Sequence, residues 1–176
     1  MKPAAKKQLV ELVIPTRDGE FLARYSVNGL ARLKFPSTKT AGKKTSPAVL
    51  GALPMTIRRW HRATTVALKR ILAGRSPRVL PPLDISVGTA FQQRIWNALL
   101  KIPLGETRSY GELARLVKNP HGSRAVGGAC GANPIPVLIP CHRVLAAGRK
   151  LGGFSSGLEW KRKLLWREEV RGLWKA

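Results

Sequence analysis

Cys141 and His142 follow directly on a short apolar run, and this pair could perform thiol chemistry. The thiolate is the nucleophilic form of cysteine, so Cys141 needs a base at neutral pH, and His142 could supply it. A lone buried cysteine is more often an inert small hydrophobe, and neighbours in sequence need not face each other. The apolar run 137–139 predicts a short buried strand that Pro140 would end, which would hold the cysteine on a rigid element.

A carboxylate near the end of the chain could orient that histidine. Glu168 lies three residues after Leu165 and four after Leu164, on the inward face of a helix predicted to begin near residue 158. A carboxylate on a core-facing stripe must find a partner. His142 is one candidate partner, and an Arg or Lys near the helix end is the other; the pattern leaves both open.

Two further stretches could contribute to a site around the thiol. The small-residue loop 152–157 could bring backbone donors and the aromatic ring of Phe154 to a planar ligand, although a plain connector has the same composition. Asn133 lies eight residues before Cys141, where its side chain could brace a turn or bond to the site. Neither stretch identifies a ligand by itself.

Two short helices joined by a tight turn precede the cysteine, and they favour a helix-turn-helix. Ser109 and Glu112 form the sequence pattern of a capping box at the start of the first helix. Ser123 is predicted to cap the second helix, residues 124–130.

The second helix carries two internal glycines, Gly127 and Gly128, beside Ala125 and Val126. Each internal glycine costs about 1 kcal/mol relative to alanine, and none of these side chains can read base edges. The glycines would be explained if the backbone of this helix lies close against a neighbouring structure. The neighbour is either another helix or the minor groove of DNA, with Arg124 as the one long side chain aimed at the duplex.

The charge balance favours a polyanionic partner. Lys and Arg number 32 against nine Asp and Glu, which gives a formal net charge of +23. Nucleic acid is the default partner for such an excess, and a solubilising surface charge is the alternative. No stretch is long and apolar enough to predict a membrane span, and no signal-peptide core follows the basic residues 1–7. We therefore expect a cytosolic protein.

The cysteine count argues against a disulfide scaffold and against a metal site. The chain has two cysteines, Cys130 and Cys141, and no Cys/His cluster with ligand spacing. Zinc therefore has little support, and we predict no metal.

The remaining pattern predicts the elements that position these residues. The N-terminal half predicts a strand at 9–14, a turn at Asp18-Gly19 and a hairpin around Asn28-Gly29. A flexible connection at 36–54 and an amphipathic helix between Pro54 and Gly74 should follow. Thr89 can cap a helix whose inner face would consist of Phe91, Ile95, Leu99 and Ile102. A proline-bearing linker at 76–82 places a domain boundary near Asp84, between domains 1–83 and 84–176.

Residues 88–169 resemble the methylated-DNA–protein-cysteine methyltransferases, the O6-alkylguanine-DNA alkyltransferase family. Three motifs carry the resemblance: Arg124-Ala125-Val126-Gly127-Gly128-Ala129, Asn133-Pro134 and Ile139-Pro140-Cys141-His142-Arg143-Val144. It implies an α+β protein with a small strand-rich N-terminal α/β domain, RNase H-like, and a mainly helical, winged helix-turn-helix-like C-terminal domain.

The resemblance also implies a role for each matching residue. Cys141 would accept the alkyl group irreversibly, and His142 would deprotonate it through a water while Glu168 orients the imidazole and Asn133 joins the network. Tyr110 would give a hydroxyl to the flipped base and to the rotating phosphate, and Arg124 would fill the gap in the stack. The further DNA contacts would be Ser123, Ala125 and Gly128. The base pocket would be Val144, Gly152, Gly153, Phe154 and Ser155, with Phe154 where the family usually has tyrosine.

The implied partner is double-stranded DNA that contains O6-alkylguanine, with O4-alkylthymine left open. The implied protein is a monomer without a cofactor, cytoplasmic and nucleoid-associated, or nuclear in a eukaryote. Three other functions compete: a lesion-binding relative that lacks transfer, a Cys-His-Glu hydrolase and a plain basic DNA-binding module. The first normally lacks the cysteine, the second leaves the charge of +23 unexplained, and the third leaves the Pro-Cys-His motif unexplained.

Overall fold

The computed structural model describes residues 9–170 and shows an α+β fold, with a small antiparallel sheet and six α-helices in that range. The basic residues 1–7 lie outside it. The strands are β1 (Val10–Thr16), β2 (Gly19–Ser26), β3 (Gly29–Lys34), β4 (Arg108–Ser109) and β5 (Val144–Leu145). The helices are α1 (Pro47–Ala52), α2 (Met55–Leu72), α3 (Ala90–Leu99), α4 (Tyr110–Leu116), α5 (Ser123–Gly131) and α6 (Leu158–Arg167).

The N-terminal sheet is an antiparallel meander in the order β1-β2-β3, as the two turn signals predict. Gly29 opens β3 with φ of 144°, and a Cβ there would lie 2.3 Å from the carbonyl oxygen of Pro82. The segment around Pro82 covers the outer edge of β3, because Leu30 N–H donates to Pro82 O at 2.8 Å and Asp84 N–H donates to Leu30 O at 2.8 Å. The sheet edge is therefore closed by the chain that leads into the second half.

The predicted helix between Pro54 and Gly74 is confirmed as α2, which buries Ile57, Leu68 and Ile71 against the sheet. The connection at 36–54 contains α1, capped by the Ser46 side chain, which the sequence pattern does not predict. Thr45 Oγ1 accepts a hydrogen bond from Val13 N–H at 2.9 Å and so ties this connection to β1.

One apolar cluster runs through both halves of the chain. It includes Phe21 and Leu33 of the sheet, Leu68 of α2, Leu99 of α3 and Leu164 of α6. The predicted helix capped by Thr89 is confirmed as α3, with a complete Thr89–Gln92 capping box, although Ile102 lies beyond its end. The domain boundary near Asp84 stays a prediction. Within residues 9–170, no helix is long and apolar enough to cross a membrane.

Candidate active site

The apolar run before the cysteine is a turn, so the predicted buried strand at 137–139 is wrong. Ile139 N–H donates to Ile135 O at 2.9 Å, and Val137 adopts a left-handed φ of 74°. Asn133 braces the turn at both ends: its Nδ2 donates to Ile139 O at 2.8 Å, and its Oδ1 accepts from Ile135 N–H at 3.0 Å. The turn, and not a sheet ladder, satisfies this buried backbone.

Cys141 opens a short 3-10 helix, Cys141–Arg143, and lies only 4% exposed. Its backbone N–H donates to Ile139 O at 2.8 Å, so the braced turn fixes the cysteine directly. Burial raises the pKa of the Cys141 thiol, while a hydrogen bond from Asn133 and the charge of Lys161 oppose that rise. The resting group is therefore a thiol that needs a base.

His142 and Glu168 form the predicted pair, with Nε2 and Oε1 2.8 Å apart and both side chains fully buried. Burial lowers the pKa of His142 despite the neighbouring carboxylate, so the imidazole is neutral at neutral pH. Because the proton on Nε2 points to Glu168, Nδ1 is a lone-pair acceptor. Nδ1 is buried and has no hydrogen-bond partner among the described residues. The arrangement leaves a free base on the residue next to the thiol.

Arg143 also binds Glu168, but it lies in the 3-10 helix beside the cysteine and not near the end of α6, where the sequence pattern placed the alternative partner. Its Nε donates to Oε2 and its Nη2 to Oε1, each at 2.9 Å, and its Nη1 donates to Ile102 O at 2.6 Å. Burial alone would raise the pKa of Glu168, but the hydrogen bonds and charges of His142 and Arg143 outweigh it and lower the pKa to about 2. The carboxylate is ionised and held from three directions.

A cavity of about 820 Å³ opens beside the thiol. It brings together seven residues that the sequence places at the site: Tyr110, Ser123, Arg124, Cys141, Gly153, Phe154 and Ser155. A cavity walled by two aromatic rings and a guanidinium, with a thiol in its lining, suits a planar, electron-rich ligand.

The other predicted site residues lie close to this cavity but do not line it. Val144 is buried behind the cysteine, and Gly152, with φ of 65°, packs on Tyr110, where a Cβ would lie 3.2 Å from the ring. Ala125 and Gly128 are exposed on the outer face of α5.

The two helices of the predicted DNA-binding unit are confirmed as α4 and α5, which pack against each other. The Ser109–Glu112 capping box is complete. Ser123 as a cap is wrong: Gly122 is the N-cap residue, and Ser123 is the first helical residue and makes no capping bond. A Cβ added at Gly128 would meet nothing within 4 Å. No helix crossing therefore explains that glycine.

Three further residues contact the site or line the cavity, although their sequence positions did not predict this: Lys161, Arg143 and Cys130. Lys161 is completely buried and donates from Nζ to Val144 O at 2.7 Å and to Gly153 O at 3.3 Å, which ties the loop 152–157 to β5. Burial lowers the pKa of Lys161 to about 8. Cys130 lines the cavity as well as the core. Only the interruption of the apolar stripe of α6 by Lys161 signals any of this in the sequence; Arg143 and Cys130 carry no such signal.

Residues 9–170 contain no group of three or more His, Cys, Asp or Glu side chains that could hold a metal ion.

Comparison with known proteins gives one consistent result. Residues 90–170 match the family described as 6-O-methylguanine DNA methyltransferase, DNA binding domain. The methylated-DNA–protein-cysteine methyltransferase of Haemophilus influenzae is 58% identical over 83 residues, which are 47% of this chain and 46% of that protein. The protein of the same name from Mycobacterium tuberculosis is 56% identical over 104 residues, 59% of this chain and 62% of that protein. The chain thus spans about half the length of the curated relatives it matches.

Two solved structures match nearly the whole fold. The crystal structure of M. tuberculosis OGT in complex with DNA has a TM-score of 0.72 and 36% identity, covering 92% of this chain and 93% of that one. That of M. tuberculosis O6-methylguanine methyltransferase has a TM-score of 0.72 and 35% identity, covering 94% and 95%.

Proposed function

The chain belongs to the 6-O-methylguanine DNA methyltransferase family, and from that premise we propose that it repairs DNA by moving an alkyl group from O6 of guanine to Cys141. One observation carries the proposal: Cys141 lines a cavity with Tyr110, Arg124 and Phe154, beside the buried His142–Glu168 pair. The reaction class is methylated-DNA–[protein]-cysteine S-methyltransferase, with each protein used once.

The transfer needs no cofactor. The sulfur of Cys141 attacks the alkyl carbon in line with the O6–carbon bond, and the electron pair of that bond goes to the guanine. The thiol proton passes to Nδ1 of His142 through a water and ends on the guanine, so thiol and alkylguanine become thioether and guanine. Asn133 braces the thiol, and Glu168 keeps the proton of the resting imidazole on Nε2. Since a thioether is not hydrolysed, the protein is spent.

The base must leave the duplex to reach the buried thiol. We propose that α5 lies in the minor groove through the exposed Ala125 and Gly128, with Ser123 at its first turn. Arg124 then fills the gap left by the flipped nucleotide, and the Tyr110 hydroxyl bonds to the base and to its phosphate. Phe154 packs on the base, with Val144, Gly152, Gly153 and Ser155 shaping the pocket around it.

The partner in this proposal is double-stranded DNA that contains O6-alkylguanine. The solved complex of M. tuberculosis OGT with DNA supports the choice of DNA, and the family match supports transfer over lesion binding alone and over hydrolysis. The finer fold descriptions belong to the same proposal: RNase H-like for the N-terminal part and winged helix-turn-helix-like for the C-terminal part. We expect a monomer that works in the cytoplasm at the nucleoid, or in the nucleus if the source is eukaryotic.

The test is to incubate the protein with duplex DNA carrying one O6-methylguanine and to weigh the peptide that contains Cys141. That peptide should gain the mass of one methyl group in place of a hydrogen, and the reaction should stop at one transfer per protein. Cys141→Ser should abolish the gain, and Cys130→Ser, the matched control in the same cavity, should keep it. An unmodified Cys141 would overturn the transfer, and repeated turnover would overturn the single-use mechanism.

A further inference from the structure

A second groove adjoins the alkyl-acceptor cavity. It has a volume of about 600 Å³ and shares Gly131 and Ser155 with that cavity. Its walls come from β3 and the turn that follows, from the loop after α5, and from the first turn of α6 with the segment before it. The two spaces are therefore neighbours along one surface, and the N-terminal half supplies one side of the second.

Two cations that form no ion pair within residues 9–170 lie on this groove. Arg32 and Lys34 are exposed at alternate positions of β3, while Leu33 between them is buried and its N–H donates to Pro134 O at 2.9 Å. Neither cation forms an ion pair with any residue in the range 9–170, and no carboxylate is among the described residues that line the groove. Arg24, which pairs with Arg32 across the sheet, is neutralised by Glu11 at 2.5 Å.

The aromatic wall of the groove continues into the base pocket. Phe35 and Trp160 line the groove with ring centroids 4.7 Å apart. Phe35 also meets Phe154 edge-on, with centroids 5.9 Å apart. A chain that lies in the groove therefore passes directly beside the ring that we expect to hold the flipped base.

The exposed face of α5 ends at the mouth of this groove. Arg124, Ala125 and Gly128 are exposed along the helix, and Gly131 and Ala132 continue that face to the groove. At 1.5 Å per residue, the helix carries the surface about 12 Å from Arg124 to Ala132. DNA that follows α5 is thereby brought to the groove.

We propose that this groove holds the sugar-phosphate backbone of a DNA strand a few nucleotides from the flipped lesion, with Arg32 and Lys34 each neutralising one phosphate. The proposal rests on the proposed function, because it takes DNA as the partner. Cations without an ion pair in the range 9–170, the exposed residues Ser37 and Ser155 and the absence of a carboxylate among the described lining residues match a nucleic-acid backbone. The N-terminal sheet then has a direct part in DNA binding.

The test compares the double variant Arg32→Ala/Lys34→Ala with Arg59→Ala/Lys69→Ala. The control pair loses the same charge from exposed positions of α2 that line none of the described cavities. Affinity for an undamaged duplex is measured from low to high salt. Each phosphate contact contributes about −0.9 to the slope of log affinity against log salt concentration. The slope of the groove variant should therefore be less steep than that of wild type by roughly 2, and the slope of the control should be nearly unchanged.

Two further measurements locate the contact. Reaction with free O6-methylguanine base should stay at the wild-type rate in the groove variant, because the thiol site is intact. A duplex with single methylphosphonate linkages at successive positions should weaken wild-type binding at one or two positions where the groove variant shows no further loss.

Equal slopes for the two double variants, or methylphosphonate effects unchanged in the groove variant, would overturn the groove as a backbone site. A wild-type protein that never alkylates Cys141 would overturn the proposed function instead, and the salt test on undamaged duplex would still decide the groove.

Discussion

Glutamine in place of Glu168 should destabilise the protein strongly, because it removes the charge that a buried arginine needs. Glu168 is 3% exposed and accepts hydrogen bonds from His142 at 2.8 Å and from two nitrogens of Arg143 at 2.9 Å. Removing one partner of a buried ion pair costs about 3–5 kcal/mol, since the other charge remains without compensation. We expect a loss of that size in the free energy of unfolding at pH 7.

The pH dependence gives an independent magnitude for the same interaction. The pKa of Glu168 falls from 4.5 to about 2 on folding, a shift worth about 3 kcal/mol. A carboxylate whose pKa is lowered by folding stabilises the native state above its unfolded pKa, and this stabilisation is lost as the pH falls towards the folded pKa. The advantage of wild type over Glu168→Gln should therefore be full above pH 5 and should fall by roughly half or more by pH 3.

Urea unfolding of both proteins at pH 7 and pH 3 measures this difference. Glu106→Gln is the matched control, because Glu106 pairs with Arg108 at 3.0 Å on the surface, where such pairs contribute about 0–1 kcal/mol. A second comparison, Glu168→Gln with Arg143→Met, should recover part of the stability by removing the uncompensated cation. Alkyl transfer should fall by about 10²–10⁴, because the base is no longer held in one tautomer.

Two results would refute this reasoning. A loss below about 1 kcal/mol at pH 7 would show that the buried pair contributes no more than a surface one. An equal loss at pH 3 and pH 7 would show that the carboxylate charge is not the cause.

Three other substitutions test the supports of the site. Asp18→Asn should lower the free energy of unfolding by about 2 kcal/mol at pH 7, because the hydrogen bond from Arg167 at 2.6 Å lowers the pKa of Asp18 from 3.8 to about 2. In urea unfolding, the difference from wild type should shrink as the pH falls below 3.8, and a pH-independent difference would contradict this explanation. Lys161→Met should shift iodoacetamide labelling of the Cys141 peptide to higher pH, because the lysine charge favours the thiolate; an unchanged labelling profile would remove Lys161 from the site. Gly128→Ala should raise the free energy of unfolding by up to about 1 kcal/mol, because the added Cβ meets nothing in the described fold. The same Cβ should weaken duplex binding if α5 lies in the minor groove, so an unchanged DNA affinity would count against that placement.

Local patterns predicted most of the elements that hold the site. Asn28-Gly29, the Thr89 cap, the Ser109–Glu112 capping box and the helical spacing between Pro54 and Gly74 all involve residues close in sequence, whose preferences act before the chain folds. The two residues of the His142–Glu168 pair are 26 positions apart, yet the sequence still indicated the pair as one of two candidates, because a carboxylate on the inward face of a helix needs a partner.

The predictions were wrong where tertiary contacts determine the backbone conformation. An apolar run of three residues has the composition of a buried strand, but a strand needs a neighbouring ladder, and at 137–139 the Asn133 side chain supplies the bonds for a turn. Val137 takes a left-handed φ that its β-branched side chain disfavours, which no local preference would indicate. Lys161 shows in the sequence only as a break in the apolar stripe of α6, which does not indicate its burial, because a lysine is presumed exposed until the fold encloses it against two carbonyl oxygens.

The raised pKa of Cys141 fits a protein that reacts once. A thiolate with a low pKa would react with free alkylating agents in solution, and each such reaction would consume one protein molecule. Burial keeps Cys141 as a thiol and lowers the pKa of His142, so the resting pair is neutral, and the free Nδ1 of His142 is the acceptor available for the thiol proton. Proton transfer to that nitrogen creates a thiolate and an imidazolium together, and Glu168 stabilises the imidazolium at 2.8 Å. Under the proposed mechanism, the thiolate–imidazolium pair leads to transfer only when an alkyl carbon already lies in the cavity, in line with the sulfur. Selectivity for a flipped base over free reagents then comes from the same burial that makes the thiol a poor nucleophile at rest.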